Sequence, residues 1–234
     1  MNITMLGSGY VGLVSGTCFA EFGANVTCVD VDDKKIQALN AGEIPIYEPG
    51  LDELVGKNVK EGRLKFSGIY NKVIADSDLI FIVVGTPSRH GDGSADLSYV
   101  FQAAKDIAPY LKNYTVIVNK STVPVGTARK VLSAISEANP DADFDLASNP
   151  EFLREGGAIS DFMRPDRVVI GVESPRAEKM LRELYRPLSL VESPLLVTGL
   201  ETAELVKYAS NAFLATKISF INEISMLCEA VGAD

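Results

Sequence analysis

Several protein classes are excluded by what is scarce in this chain. Basic charge is short: 22 Lys and Arg stand against 31 Asp and Glu, for a formal net charge of −9. That balance disfavours nucleic acid or an anionic membrane surface as a partner. A bound anion must then be held by local backbone donors and a few cations. No apolar run reaches bilayer-spanning length. Met1-Asn2-Ile3-Thr4-Met5 offers neither a basic stretch nor a cleavage site, so no signal peptide is expected. The three cysteines, Cys18, Cys28 and Cys228, are too scattered for a disulfide framework or a metal-ligand pattern. Each falls on an apolar helical or strand pattern and is expected to be a buried core thiol, which makes a reducing cytoplasm the simplest compartment. The single histidine, His90, sits with Gly91, Asp92 and Gly93 between Ser88 and Ser94. A solvated loop is expected there and no metal site, because no second ligand accompanies it.

The composition that remains, 47% hydrophobic and 23% charged over 234 residues, suits one large core or a main domain with an appendage. Short apolar runs at 3–6, 26–31, 79–84, 115–118, 144–147 and 168–172 read as strands. They are continuously apolar, as parallel strands covered on both faces are. Helical patterns lie between them, among others at 11–22, 34–41, 97–111 and 127–137. This alternation predicts an α/β fold with a doubly wound, Rossmann-type parallel sheet, assigned to residues 1–196. From 197 the character changes. Residues 201–231 form one long helical pattern without internal Pro or Gly, roughly 45 Å if unbroken. Such a C-terminal helix joins domains or packs on a partner, and residues 197–234 read as the start of a second, helical domain. Asp234 could cap a further helix beyond the end.

Gly7-Ser8-Gly9-Tyr10-Val11-Gly12 follows a strand directly and opens a helix. Gly7 permits the tight turn, Gly9 lets the backbone approach a pyrophosphate, and Gly12 allows close helix–sheet packing. Tyr10 and Val11 begin the helix whose free N–H donors and dipole favour an anion. About twenty residues on, the second strand ends in Asp30, where adenosine ribose hydroxyls are expected. A carboxylate there repels a 2′-phosphate and favours NAD over NADP. Lys35 on the next helix reads either as a contact to the adenosine end or as a solvated lysine. Two later strand ends point at the same crevice, bringing Thr86 and the segment Lys120-Ser121-Thr122. On spacing alone, Thr86 and Thr122 read better as turn residues than as ligand contacts.

Glu151 and Glu155 lie four apart after a strand, so one helical turn would bring them to one face. Two such carboxylates can have their proton affinities pushed apart for acid/base work, or can be solvated beside Arg154. Lys207 and Asn211 are also four apart and share a face of the long helix. A lysine beside an amide can stabilise an alkoxide; a solvated helix lysine is the competing reading.

Taken together, these segments resemble the UDP-glucose/GDP-mannose dehydrogenase family. The resemblance runs through Gly-Ser-Gly-Tyr-Val-Gly-Leu at 7–13, Tyr-Glu-Pro-Gly-Leu at 47–51, Val-Gly-Thr-Pro at 84–87 and Lys-Ser-Thr-Val-Pro-Val-Gly-Thr at 120–127. It continues through Ser-Asn-Pro-Glu-Phe-Leu-Arg-Glu-Gly at 148–156, Pro-Asp-Arg-Val-Val-Ile-Gly at 165–171 and Ala-Glu-Leu-Val-Lys-Tyr-Ala-Ser-Asn-Ala-Phe at 203–213. The 162–171 segment looks more like the UDP-glucose branch than the GDP-mannose branch. The resemblance implies oxidation of the sugar 6-hydroxymethyl group to a carboxylate with two NAD, through capture of an aldehyde on a cysteine and hydrolysis of a thioester. It gives Thr122 a water near the reacting centre, Glu151 acid/base work, and Glu155 and Ser121 the cofactor side. Lys207 and Asn211 would contact substrate and stabilise oxyanions at C6, and Phe152, Leu153 and Arg154 would lie in the substrate segment.

The family's nucleophile belongs to a Gly-Gly-Ser-Cys segment, and this sequence has none. The expectation is therefore the N-terminal part of such an enzyme, able to bind NAD but not to complete the oxidation, with a homodimer formed through the long helix. Two alternatives remain. A hydroxyacid or 6-phosphogluconate dehydrogenase also joins a Rossmann domain to a helix bearing Lys-x-x-x-Asn, although the 47–50 and 149–153 motifs argue against it. A non-catalytic nucleotide-binding module that dimerises through its helix is the other.

Overall fold

The computed structural model describes residues 1–89, 91 and 93–234; His90, with the loop reading attached to it, and Asp92 lie outside the described residues. The strands are β1 (Asn2–Leu6), β2 (Asn25–Val29), β3 (Leu64–Ser67), β4 (Leu79–Ile82), β5 (Thr115–Asn119), β6 (Phe144–Ser148), β7 (Val168–Val172) and β8 (Leu195–Thr198). The helices are α1 (Tyr10–Glu21), α2 (Asp33–Asn40), α3 (Leu51–Lys60), α4 (Asn71–Ala75), α5 (Ser98–Ile107), α6 (Thr127–Ala138), α7 (Ala158–Met163), α8 (Pro175–Leu184) and α9 (Leu200–Val231). The strands form one sheet in the order β3-β2-β1-β4-β5-β6-β7-β8. This is the expected doubly wound α/β fold followed by a long C-terminal helix. Strand order reverses between β1 and β4, and such a switch point opens a crevice at the carboxyl ends of the strands.

Alternate side chains of each central strand point to opposite faces, and both faces are covered. Met5, Phe81, Val116 and Val118 pack with α1, α3, α7 and α8, where Phe19 meets Phe81, Phe162 and Tyr185 at ring-centroid distances of 5.0–5.6 Å. Leu6, Ile80, Ile82 and Ile117 pack with α4, α5 and α6 through Ile74, Ala104, Val131 and Ile135.

One strand departs from expectation. The apolar run at 168–172 reads as another parallel strand, yet β7 is antiparallel to β6, with Ala147 opposite Val172 and Ser148 opposite Gly171. A parallel return needs a crossover that carries the chain back along the sheet. Between β6 and β7 the only helix is α7, six residues long and roughly 9 Å, too short for that. Between β7 and β8 the ten-residue α8 makes the crossover, and that pair is parallel.

Only the first two turns of α9 are packed: Leu200, Ala203, Glu204 and Lys207 are buried. From Asn211 on, its apolar residues Phe213, Leu214, Ile218, Phe220, Ile221, Ile224 and Leu227 are exposed. Cys228 shares that stretch and is half-buried rather than the expected core thiol, whereas Cys18 and Cys28 are buried. Among the described residues no helix is long and apolar enough to cross a membrane. The start of α9 sits tightly on β7: a Cβ at Gly171 would lie 2.7 Å from both the Ala203 Cβ and the Gly199 carbonyl oxygen. Gly171→Ala is accordingly expected to destabilise the chain by about 1–3 kcal/mol, read as a lowered midpoint of chemical unfolding. An unchanged midpoint would mean that α9 is not held against the sheet at this point.

Candidate functional site

The carboxyl ends of β1, β2, β4, β5 and β6 carry most of the expected site residues. At the end of β1 the three motif glycines have different reasons. Gly7 adopts φ +110, and a Cβ there would lie 2.9 Å from the Val83 carbonyl oxygen; a Cβ on Gly12 would lie 1.9 Å from the Gly7 carbonyl oxygen. Gly9 is different: its φ is −75, and nothing lies within 4 Å of a Cβ built on it. The fold does not require a glycine there, and the open space adjoins the start of α1. Like most helices of the chain, α1 has no side-chain cap, and it carries no acidic residue in its first turn. Its first N–H groups, Tyr10 and Val11 among them, are thus left for an anion. A pyrophosphate fits this cradle.

Asp30 stands beside the cradle just past β2. Its Oδ2 accepts hydrogen bonds from the Ser8 N–H (2.8 Å), the Ser8 hydroxyl (2.7 Å) and the Lys35 ammonium (2.9 Å). Burial pushes its carboxyl up, but Lys35 and Ser8 together outweigh this and hold it below the usual range. Asp30 is therefore held as an anion. Lys35 is an ion-pair partner of Asp30, not a solvated lysine.

The loops after β4 and β5 are tied to each other. Thr86 donates its hydroxyl to the Thr122 carbonyl (3.0 Å), and Ser121 donates to that of Val84 (2.7 Å). Next to them lies a charged cluster. The Lys207 ammonium of α9 pairs with Glu151 Oε1 at 2.9 Å, Lys207 being buried and Glu151 partly so, with 9% and 14% of their side chains exposed. Glu151 Oε2 also accepts the Leu153 N–H (2.6 Å), and Phe152 presents its ring to Lys207 and Arg167. Residues 151–154 are not helical, so Glu151 and Glu155 do not share a helical face as expected. Glu151 folds back on its own loop, and the exposed Glu155 lies close enough to Tyr10 to act on its hydroxyl. Arg154 pairs with Asp161. Asn211, one turn beyond Lys207, is exposed.

Several groups were given no role of their own by the sequence reading. Lys120 is buried and donates to Asn149 Oδ1 (3.2 Å), which also accepts the Tyr185 hydroxyl (2.5 Å). A polar residue at the carboxyl end of a parallel strand is a usable signal for Lys120 and Asn149; Tyr185, after α8, gives none. Glu204 of α9 is buried and accepts the Gly126 N–H (2.6 Å) and the Ala128 N–H (2.7 Å), capping α6 from outside. Among the described residues no three His, Cys, Asp or Glu stand together as a metal site.

Against known proteins, the model of the UDP-glucose/GDP-mannose dehydrogenase family, NAD binding domain, matches residues 1–189, and that of the family's central domain matches 201–234. The chain belongs to the UDP-glucose/GDP-mannose dehydrogenase family. A UDP-glucose 6-dehydrogenase of Rhizobium meliloti (strain 1021) is 61% identical over 236 residues, matching 100% of this chain and 54% of that protein. The solved UDP-glucose dehydrogenase of the archaeon Pyrobaculum islandicum superposes with a TM-score of 0.94 at 45% identity, over 99% of this chain and 54% of that one. A GDP-mannose dehydrogenase solved as a ternary complex gives 0.95 at 37% identity, over 100% and 54%. The chain spans about half the length of the curated relatives it matches. Membership makes NAD the cofactor, in keeping with the Gly9 cradle and Asp30, and sets aside the hydroxyacid dehydrogenase reading.

Burial lowers Lys120 from the ordinary lysine value of 10.5 to about 8, with Lys207 adding to the effect and Glu151 opposing it. Between those pH values the unfolded chain carries a proton that the folded one has lost, so stability rises with pH, by at most roughly 3 kcal/mol. Lys120→Met should lack this rise. The stability difference between variant and wild type, measured by urea unfolding at pH 7.5 and pH 10, then shifts in favour of wild type. A difference constant over that range would mean that Lys120 keeps an ordinary proton affinity.

Proposed function

We propose that this chain supplies the cofactor half of a UDP-glucose 6-dehydrogenase, which oxidises the sugar 6-hydroxymethyl group to a carboxylate. The buried Lys207–Glu151 pair, on the same sheet rim as the Gly9 cradle, carries the reading. Bound NAD supplies the hydride acceptor. Tyr10 and Val11 N–H groups hold the pyrophosphate, Asp30 takes the ribose hydroxyls, and Glu155, Ser121 and Thr86 border the cofactor. Lys207, desolvated beside Phe152, stabilises an oxyanion at C6. Glu151 moves a proton, Thr122 holds a water, and Asn211 offers its amide to the substrate. The 152–154 segment contributes to the sugar site.

Neither buried thiol suits the nucleophile's role, since burial pushes Cys18 and Cys28 up to about 12, and Cys228 lies far along α9, roughly 30 Å of helix beyond Lys207. We therefore expect NAD binding by this chain without steady conversion of UDP-glucose to UDP-glucuronate. GDP-mannose is the competing substrate, less favoured because the relatives nearer in sequence carry UDP-glucose in their names. The boundary expected at 196/197 falls inside β8, so the sheet domain is taken to Thr198 and the helical domain from α9 at Leu200, with α9 as a dimer interface whose exposed apolar side chains need cover. Three free thiols fit a reducing, cytoplasmic setting.

Gly9→Ala tests the cofactor half. The added methyl meets no protein atom, so apo stability stays within about 0.5 kcal/mol, while NADH affinity, followed by fluorescence titration, falls on the order of tenfold. NADP should bind wild type more weakly than NAD. Unchanged NADH affinity in Gly9→Ala would remove the cradle from consideration.

A further inference from the structure

The Tyr47–Leu51 motif has no part in the reading above, yet it builds one of the most buried polar contacts of the chain. Pro49 and Gly50 form a tight turn: Gly50 has φ +80 and ψ 0, and the Leu51 N–H donates to the Glu48 carbonyl at 3.1 Å. Proline followed by a left-handed glycine is the signature of a type II turn. Leu51 is buried at the start of α3, which packs on α1. Tyr47, by contrast, is 87% exposed. The turn thus fixes Glu48, whose side chain points inward and is 5% exposed.

The Tyr10 hydroxyl and backbone N–H groups of the 156–159 segment converge on that carboxylate. Glu48 Oε2 accepts the Tyr10 hydroxyl at 2.5 Å and the Gly156 N–H at 2.8 Å, and Oε1 accepts the Ile159 N–H at 3.4 Å. Burial pushes the carboxyl up, but the Tyr10 hydroxyl and the backbone donors outweigh it and hold it below the usual range, so it stays charged. The Tyr10 hydroxyl also reaches the Arg154 carbonyl at 3.4 Å. Tyr10 is the first residue of α1, so its backbone borders the phosphate cradle while its side chain runs to Glu48. Gly156 and Ile159 follow directly on the loop that carries Glu151 and Glu155. A core contact between helices needs no charge here, whereas a carboxylate offers two accepting oxygens for donors from two segments at once.

We propose that Glu48 is a positioning residue that pins the 154–159 segment over the N-terminus of α1, so that the pyrophosphate–nicotinamide half of NAD is gripped between cradle and loop. The proposal rests on the cofactor reading given above. Glu48→Gln keeps the size of the side chain but leaves one accepting oxygen for these donors and turns an NH2 group toward the others. Tyr10→Phe removes one donor alone.

The test compares NADH with AMP, which reaches only the Asp30 end and the first phosphate, by calorimetric titration of the 234-residue chain. Glu48→Gln is expected to weaken NADH binding about tenfold while AMP binding stays within about twofold. Tyr10→Phe should weaken NADH in the same direction but less, and the double variant should be no worse than Glu48→Gln, because both groups act through one contact. Faster amide hydrogen exchange at 154–159 in Glu48→Gln is the accompanying structural sign. Equal NADH affinity in Glu48→Gln and wild type overturns the proposal. Parallel loss of NADH and AMP also overturns it, because the residue is then part of the scaffold. Wild type binding neither ligand would instead strike down the cofactor reading beneath it.

Discussion

Two lysine ammonium groups, Lys120 and Lys207, are buried, and Glu151 pairs directly with only one of them; much of the site's arrangement follows from that inequality. A buried cation is costly unless it is paired. Glu151 pairs directly with Lys207, which leaves Lys120 a neutral acceptor, the Asn149 carbonyl, already shared with the Tyr185 hydroxyl. The proton affinity that gives way is therefore that of Lys120.

This arrangement depends on where the sheet puts its loops. Adjacent β5 and β6 bring Lys120 and Asn149 together from segments 29 residues apart. Lys207 arrives from α9, and its depth is set by the close approach of Gly171 to Ala203 and Gly199. Antiparallel β7 puts the Val169 carbonyl where the Asn149 amide donates to it (2.9 Å), which orients the other side of that amide toward Lys120. The one strand that breaks the parallel rule thus helps to orient the acceptor on which Lys120 relies.

How legible each feature is from sequence depends on whether its cause is local. Gly7, Gly9, Gly12 and Asp30 could be read because a strand, a turn and a helix start fix them over a short span. The central strands could be read because burial on both faces makes them uniformly apolar. Edge strands could not: Leu64-Lys65-Phe66-Ser67 alternates, Leu195–Thr198 is only partly buried, and neither stands out as an apolar run. The direction of β7 left no mark on its composition, since a buried strand looks the same either way and its connection decides. Spacing misled at Glu151 and Glu155, where four residues suggested a helical turn but Glu151 closes a local bond to the Leu153 N–H. Lys120, Asn149 and Tyr185 meet only because of strand order and the return through α8, which no short window contains.

Two further carboxylates reveal how the loops of such a rim are held in register. Glu204 binds backbone N–H groups at the start of α6, directly after the loop carrying Thr122. Glu48 does the same for the loop carrying Glu151 and Glu155. In each case a segment rich in irregular backbone, with few apolar side chains to pack, is fixed by a buried acid from a distant element. Their proton affinities differ. Glu204 has two N–H donors with Glu201 nearby and is pushed up by burial, whereas Glu48 has the Tyr10 hydroxyl in addition and is held down. Hydrophobic packing fixes the sheet and its helices, but donor–acceptor contacts fix the loops that carry the chemistry. Because a hydrogen bond constrains direction as well as distance, these two acids control loop orientation in a way that an apolar contact of the same area would not.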